Sequence, residues 1–174
     1  DGLANGTGSY VGYETSRNGT FGETVVVHNG WQSMPFTYDN TKSPFYSEAV
    51  RTFDPAQDWT QHGITTLVLF FRGKSGNSPA PLYVKINDTK VLYNDSTAAT
   101  TMPVWKQWAI SLADTGANLK SVKNLTIGVE GSGTGMLFFD DIRVYAVAPE
   151  AVGPVDPGTA GLMALYAMDG NAQD

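Results

Sequence analysis

The sequence predicts an all-β chain, an antiparallel β-sandwich of jelly-roll type, on three observations. Short runs rich in Val, Ile, Thr, Phe and Tyr recur between clusters of Gly, Asn, Asp and Pro. Within the runs apolar and polar residues alternate, the period of a strand with one buried face. Helix-forming stretches are scarce, while the 174 residues include 19 Gly and 9 Pro. Turn signals about every 8–12 residues divide the chain into about nine strands, which suits two packed sheets.

The elements follow in order. Residues 1–22 are Gly/Asn/Ser/Thr-rich and read as loop, with a short strand at SYVGYE (9–14). ETVVVHNG (23–30) reads as the first full strand and QSMPFTYDN (32–40) as the second, with His28-Asn29-Gly30 as the turn between them. SEAVRTF (47–53) is a third strand, and DPAQDWTQHG (54–63) a loop or single helical turn. TTLVLFFRG (65–73) is a strong strand, followed by the loop GKSGNSPA (73–80). PLYVKIND and KVLYND (81–88 and 90–95) form a hairpin-like pair. VWKQWAISL (104–112), NLTIGVEG (124–131) and MLFFDDIRVYAV (136–147) complete the set, and ADTGANLKSVK (113–123) carries a short turn of helix. From Ala148 the composition changes. PEAVGPVDPGTAG, with three prolines and three glycines, reads as an interdomain linker over 148–161. Residues 162–174 then open a new apolar strand pattern that cannot bury its own face. Residues 1–147 are therefore one domain, and 162–174 the edge of another.

Composition excludes several classes. No apolar run approaches the roughly 18 residues of a membrane-spanning helix. A net charge of −6 opposes nucleic-acid binding, which needs clustered Lys and Arg. Cysteine is absent, so disulfides and thiolate chemistry are excluded. An acidic, cysteine-free β domain suits a bacterial secreted or cell-surface protein in which calcium braces loops. No G-x-S-x-G or H-E-x-x-H motif occurs. A glycosidase needs two facing carboxylates, and the candidate face carries only Glu130, so the sequence points away from an enzyme.

Alternation assigns Leu67, Leu69, Phe71, Leu82, Val84, Ile86, Trp108, Ile110, Leu125, Ile127 and Val129 to the core. The opposite set holds Phe70, Arg72, Tyr83, Lys85, Asn87, Gln107 and Glu130. Rings beside planar hydrogen-bonding groups suit a sugar, whose C–H faces stack while its hydroxyls are paired. The same residues also suit the solvated face of an antiparallel sheet. Trp105 and Trp31 are further candidates for a sugar platform, whereas Trp59 and Trp108 read as packing. Asp140 poses a question. Alternation in MLFFDDIRVY groups Phe138, Asp140, Ile142 and Val144; if that set faces the core, the inward carboxylate needs partners. A buried arginine (Arg51 or Arg143) or loop amides would supply them.

The run QSMPFTYDNT…YSEAVRTF…QDWTQHGITTLVLFFRG…LYVKIND…WKQWAISL…VKNLTIGVEG…LFFDDIRVY resembles the carbohydrate-binding-module-like, galactose-binding-like jelly rolls of large secreted bacterial proteins, notably of planctomycetes. The likeness spans residues 9–146. Its most telling pieces are Gly30-x-x-Ser33-Met34, Asp58-Trp59-Thr60, Phe71-Arg72-Gly73, Trp105-x-x-Trp108 and Asp140-Asp141-Ile142. Residues 161–174 look like the opening strand of a LamG-type, concanavalin-like domain. The resemblance implies a structural calcium ion at Asp140, with carbonyls around Trp31 and Gln32 and an acidic partner, Glu14 or Glu23. It also implies a noncatalytic polysaccharide-binding module whose partner is a glycan, working beside neighbouring copies or domains of a larger surface protein. A structural or adhesive sandwich without a sugar ligand is the alternative.

Overall fold

The computed structural model describes residues 9–13 and 21–151. Within them lie nine strands: β1 (Tyr10–Val11), β2 (Met34–Asp39), β3 (Tyr46–Gln57), β4 (Thr66–Arg72), β5 (Leu82–Ile86), β6 (Thr89–Leu92), β7 (Trp105–Ser111), β8 (Val122–Glu130) and β9 (Thr134–Tyr145). They form two antiparallel sheets, a five-stranded one ordered β1-β2-β9-β4-β7 and a four-stranded one ordered β3-β8-β5-β6. The predicted all-β sandwich is what the chain builds.

The two inner faces meet in one core. Phe36, Leu67, Leu69, Phe71, Leu137 and Phe139 come from the first sheet, and Leu82, Val84, Ile86, Ile127 and Val129 from the second; all are buried. Trp59 and Trp108 join them as the packing residues the sequence expected. Strand phase therefore reads correctly in β4, β5, β7 and β8.

Besides DPAQ (54–57), read as loop but continuing β3 to Gln57, three local expectations fail. ETVVVHNG is not a strand: apart from an isolated bridge between Glu23 and Ser33 it is irregular. Its β-branched run favours a strand, but the Glu23 carboxylate captures the Val25 and Val26 amides, at 2.6 and 3.2 Å, that a ladder would need. Residues 113–121 hold turns and bends rather than helix, with Val122 and Lys123 opening β8, and among the described residues the short helical stretch beyond Gln61–Gly63 is Thr97–Thr101, capped by Ser96. The third failure is the phase of β9. Phe139, not Phe138, faces the core, opposite Phe71. Asp141 then adopts φ 47°, and the ladder to β4 slips between Val68 and Phe70. This bulge restores Val144 to the core side. Asp140 consequently points outward, across from Phe70.

The calls on 152–161 of the linker and on 162–174 lie outside the described residues, as does Glu14.

Candidate functional site

The alternation that separates core from surface leaves two outer faces, on opposite sides of the sandwich. The outer residues that the sequence grouped together divide between them. Phe70, Arg72, Trp105 and Gln107 sit side by side on the five-stranded sheet, where Phe70 pairs with Gln107 and Arg72 with Trp105. Tyr83, Lys85 and Glu130 belong to the four-stranded sheet. No single ligand can touch both groups across the core.

The four-stranded face is closed by its own side chains. Tyr83 is only 1% exposed although it lies on the outer phase. Its ring rests over Gly128 of the neighbouring strand, in the space a Cβ would occupy. Its hydroxyl donates to Glu48 Oε1 at 2.6 Å, and Lys90 Nζ stands 4.1 Å from the ring centroid. Lys85 pairs with Glu48, and Lys90 with Glu130, each at 2.5 Å. Burial, and then the Glu48 hydrogen bond, push the Tyr83 hydroxyl above its ordinary range, so it stays a donor. Tyr83 offers no ring face to a sugar, and the charges of Lys85 and Glu130 are already matched. This corrects their place in the sugar platform.

The five-stranded face is organised differently, and Asp140 organises it. Its Oδ2 accepts the backbone N–H groups of His28 at 2.9 Å and Asn29 at 3.3 Å, while Oδ1 accepts the Asp141 N–H at 2.8 Å. Of the partners the sequence allowed, loop amides are the ones present. The contact spans 112 residues of chain and pins the 21–33 loop onto the sheet. Pinning places the His28 ring on Phe70, with centroids 3.7 Å apart and planes 20° apart. Trp105 meets His28 edge-on at 5.6 Å. Asp141 holds the far side of the imidazole through His28 Nδ1 at 2.8 Å, and is itself paired with Arg143 at 2.5 Å. The result is a three-ring patch whose members cannot rotate independently.

Beside this patch runs a cleft of about 660 Å³, floored by Arg72, Met136 and Phe138 and walled by Tyr13, Glu23, Val26 and Pro103. Through Lys74, Ser75 and Met136 it continues into a second depression, of about 610 Å³, at Tyr10, Thr37 and Asp39. Together they cross from β4 over β9 and β2 to β1, some three strand spacings of about 4.8 Å each. Arg72 is steadied by Nε donating to Pro103 O at 2.9 Å. Gln107 is partly committed, since its Nε2 donates to Pro149 O at 2.9 Å. Trp31 stands 90% exposed on the loop and makes no ring contact among the described residues.

Sequence reading missed His28, Asp141, Phe138 and Met136. His28 looked like a turn residue because its role depends on a partner 113 positions away. The doublet Asp140-Asp141 in an apolar run was the available signal, and it pointed to the right place with the wrong direction.

Glu23 governs the other wall. Burial raises its pKa, but the Tyr13 hydroxyl at 2.6 Å and the amides of Val25, Val26 and Thr24 outweigh burial and hold it below the usual carboxylate range. A depressed carboxylate stabilises the fold above its unfolded value, about 4.3, and that contribution is lost as pH falls through the lower folded value. Limited proteolysis of the 21–33 loop is therefore expected to accelerate on acidification below about pH 4. Glu23→Gln should raise cleavage at neutral pH and remove Glu23's share of the acid step. An unchanged acid step in that variant would show that Glu23 is not its source.

The calcium expectation meets a donor set of another kind. Both Asp140 oxygens face N–H donors, and both Glu23 oxygens accept from amides or the Tyr13 hydroxyl. Gln32 lies against Gly22. Among the described residues no three His, Asp or Glu side chains gather to hold a metal. A calcium ion takes 6–8 oxygens, and the described residues around Asp140 do not fit one.

No family profile and no curated relative matches the chain by sequence. Solved structures do match. A family 30 carbohydrate-binding module superposes with TM-score 0.55 at 17% identity, covering 81% of this chain and 80% of its own. A family 11 carbohydrate-binding module from Clostridium thermocellum, solved with a β-1,3-1,4-mixed-linked tetrasaccharide, gives 0.53 at 15%, over 79% and 86%. An exo-β-agarase matches over 82% of this chain but only 23% of its own, with TM-score 0.55 and 11% identity. The chain has the β-sandwich fold of these carbohydrate-binding modules.

Proposed function

We propose that residues 9–147 form a noncatalytic module of an extracellular multidomain protein that binds a polysaccharide on the outer face of the five-stranded sheet. The observation that carries this reading is the fixed patch of His28, Phe70 and Trp105 on the same sheet as a cleft lined by Arg72, Met136 and Phe138, with Trp105 paired to Arg72 across adjacent strands. His28, which covers the Phe70 ring, and Trp105 are held by the fold and lose little entropy on stacking a sugar, and the cleft supplies donors for its hydroxyls. The fold shared with carbohydrate-binding modules supports the same reading. The two carboxylates nearest the patch are committed to amides, His28 and Arg143. That leaves them structural rather than catalytic. One such cleft binds weakly, and repetition along a longer protein would raise avidity through effective concentration.

Affinity electrophoresis in gels carrying different polysaccharides tests the reading. Trp105→Ala is expected to weaken retardation about tenfold, the loss of one ring contact of about 1–1.5 kcal/mol. Lys85→Ala, on the opposite face, should leave it unchanged. No retardation in any gel, or an effect confined to Lys85→Ala, would overturn the proposal and favour a structural or adhesive module.

A further inference from the structure

We infer that the ligand of this cleft is an acidic polysaccharide, one carrying carboxylate or sulfate groups, with Arg72 and Lys74 reading the anion. The inference rests on the sheet-face reading above and deepens it. Four of the chain's cations are consumed internally: Lys85 by Glu48, Lys90 by Glu130, Lys106 by Asp95 and Arg143 by Asp141. Arg72 and Lys74 have no carboxylate partner among the described residues, yet both line the cleft, two residues apart at the end of β4. The two carboxylates that share the groove make their hydrogen bonds to other groups. Glu23 is engaged by the Tyr13 hydroxyl and the Val25 and Val26 amides. Asp39, at the far end, accepts the Thr41 amide at 3.0 Å and hydroxyl at 2.6 Å.

Geometry adds selectivity. With Nε tied to Pro103 O, the Arg72 guanidinium is held in place while its two terminal nitrogens have no hydrogen-bond partner among the described residues. A planar fork of this kind matches a carboxylate or sulfate by two parallel hydrogen bonds. Lys74, on the loop after β4 and without a carboxylate partner among the described residues, supplies a second charge. A neutral glycan would offer these donors hydroxyl oxygens only, whereas an anion would also match their charge. In a chain of net charge −6, long-range steering of an anion is unfavourable. Recognition therefore falls to these two local contacts, in a cleft whose stacking surface lies alongside.

The test compares charged and neutral glycans, each titrated against the folded protein: κ-carrageenan and uncharged agarose, which share an alternating galactan backbone, and polygalacturonate as the carboxylated probe. Acidic glycans are expected to bind at least about tenfold more tightly than agarose, and to weaken as salt rises from about 0.05 to 0.5 M. Lys74→Glu, a surface change that leaves the Arg72–Pro103 contact intact, should abolish that preference; Arg72→Gln should do likewise. Carboxylated and sulfated probes separate the two sources of anion. Equal affinity for agarose and the acidic glycans, or a preference insensitive to salt and to Lys74→Glu, overturns the acidic-ligand inference while leaving the sheet-face reading standing. Failure of every glycan to bind overturns both.

Discussion

Gly128→Ala is expected to destabilise the domain by roughly 3 kcal/mol, lowering Tm by about 10 °C, although it adds a single methyl group. The new Cβ would stand 2.3 Å from Tyr83 Cζ and 2.5 Å from Cε2. The ring cannot easily yield. Its hydroxyl is tied to Glu48, Lys90 lies over its face, and it is 1% exposed. Lifting it would break that hydrogen bond and expose the strand beneath. Thermal melts of a double-mutant cycle check the cause. Tyr83→Ala is destabilising by itself, but Gly128→Ala added to it should have little further effect, because the clash has gone. Additive losses would show that Gly128 matters for some other reason, such as backbone geometry.

Asp140→Ala should have the second large effect, and it should reach function as well as stability. It removes the acceptor of three amide bonds, leaving the His28, Asn29 and Asp141 N–H groups to find water or go unpaired. Hydrogen bonds to a charged acceptor contribute about 1.5–3 kcal/mol each, shared here among groups partly open to solvent, so a net loss of about 2–3 kcal/mol is expected. Asp140→Asn should rescue little. Its carboxamide presents N–H on one side, and amides approach both oxygens in the native site. With the loop unpinned, His28 leaves Phe70, and polysaccharide binding should fall with stability. EDTA should leave the melting temperature of the unaltered protein unchanged, since amides rather than a cation satisfy Asp140. A melt that drops in EDTA and recovers with calcium would contradict this account of the residue.

These two sites also mark what the sequence made legible. Core phase in β4, β5, β7 and β8 could be read because alternation there is local, and Leu69, Val84, Ile110 and Ile127 are buried as alternation requires. The outward phase of Tyr83 was likewise read correctly. Its burial was not, because the ring is covered by Glu48 and Lys90 from strands that alternation cannot place beside it. In β9 the period itself misled. A bulge at Asp141 shifts phase by one residue midway, so one count of alternate positions cannot describe both halves. The 23–30 segment has the composition of a strand, yet a carboxylate two and three residues back claims its amides. Phe70, Arg72 and Gln107 emerged from sequence by phase alone, in one set with Tyr83, Lys85 and Glu130 and with Trp105 as a separate candidate; only the strand pairing shows which of them are neighbours. His28 did not, since only the 112-residue contact to Asp140 brings it there.

The central claim is that one outer face binds and the other does not, and amide chemical-shift mapping during titration with oligosaccharide tests it most directly. The account requires the largest shifts at His28, Phe70, Arg72, Lys74, Trp105 and Phe138, with Tyr46, Lys85, Lys90 and Glu130 silent. Shifts concentrated on the latter four, with the His28–Phe70–Trp105 patch unmoved, would contradict it.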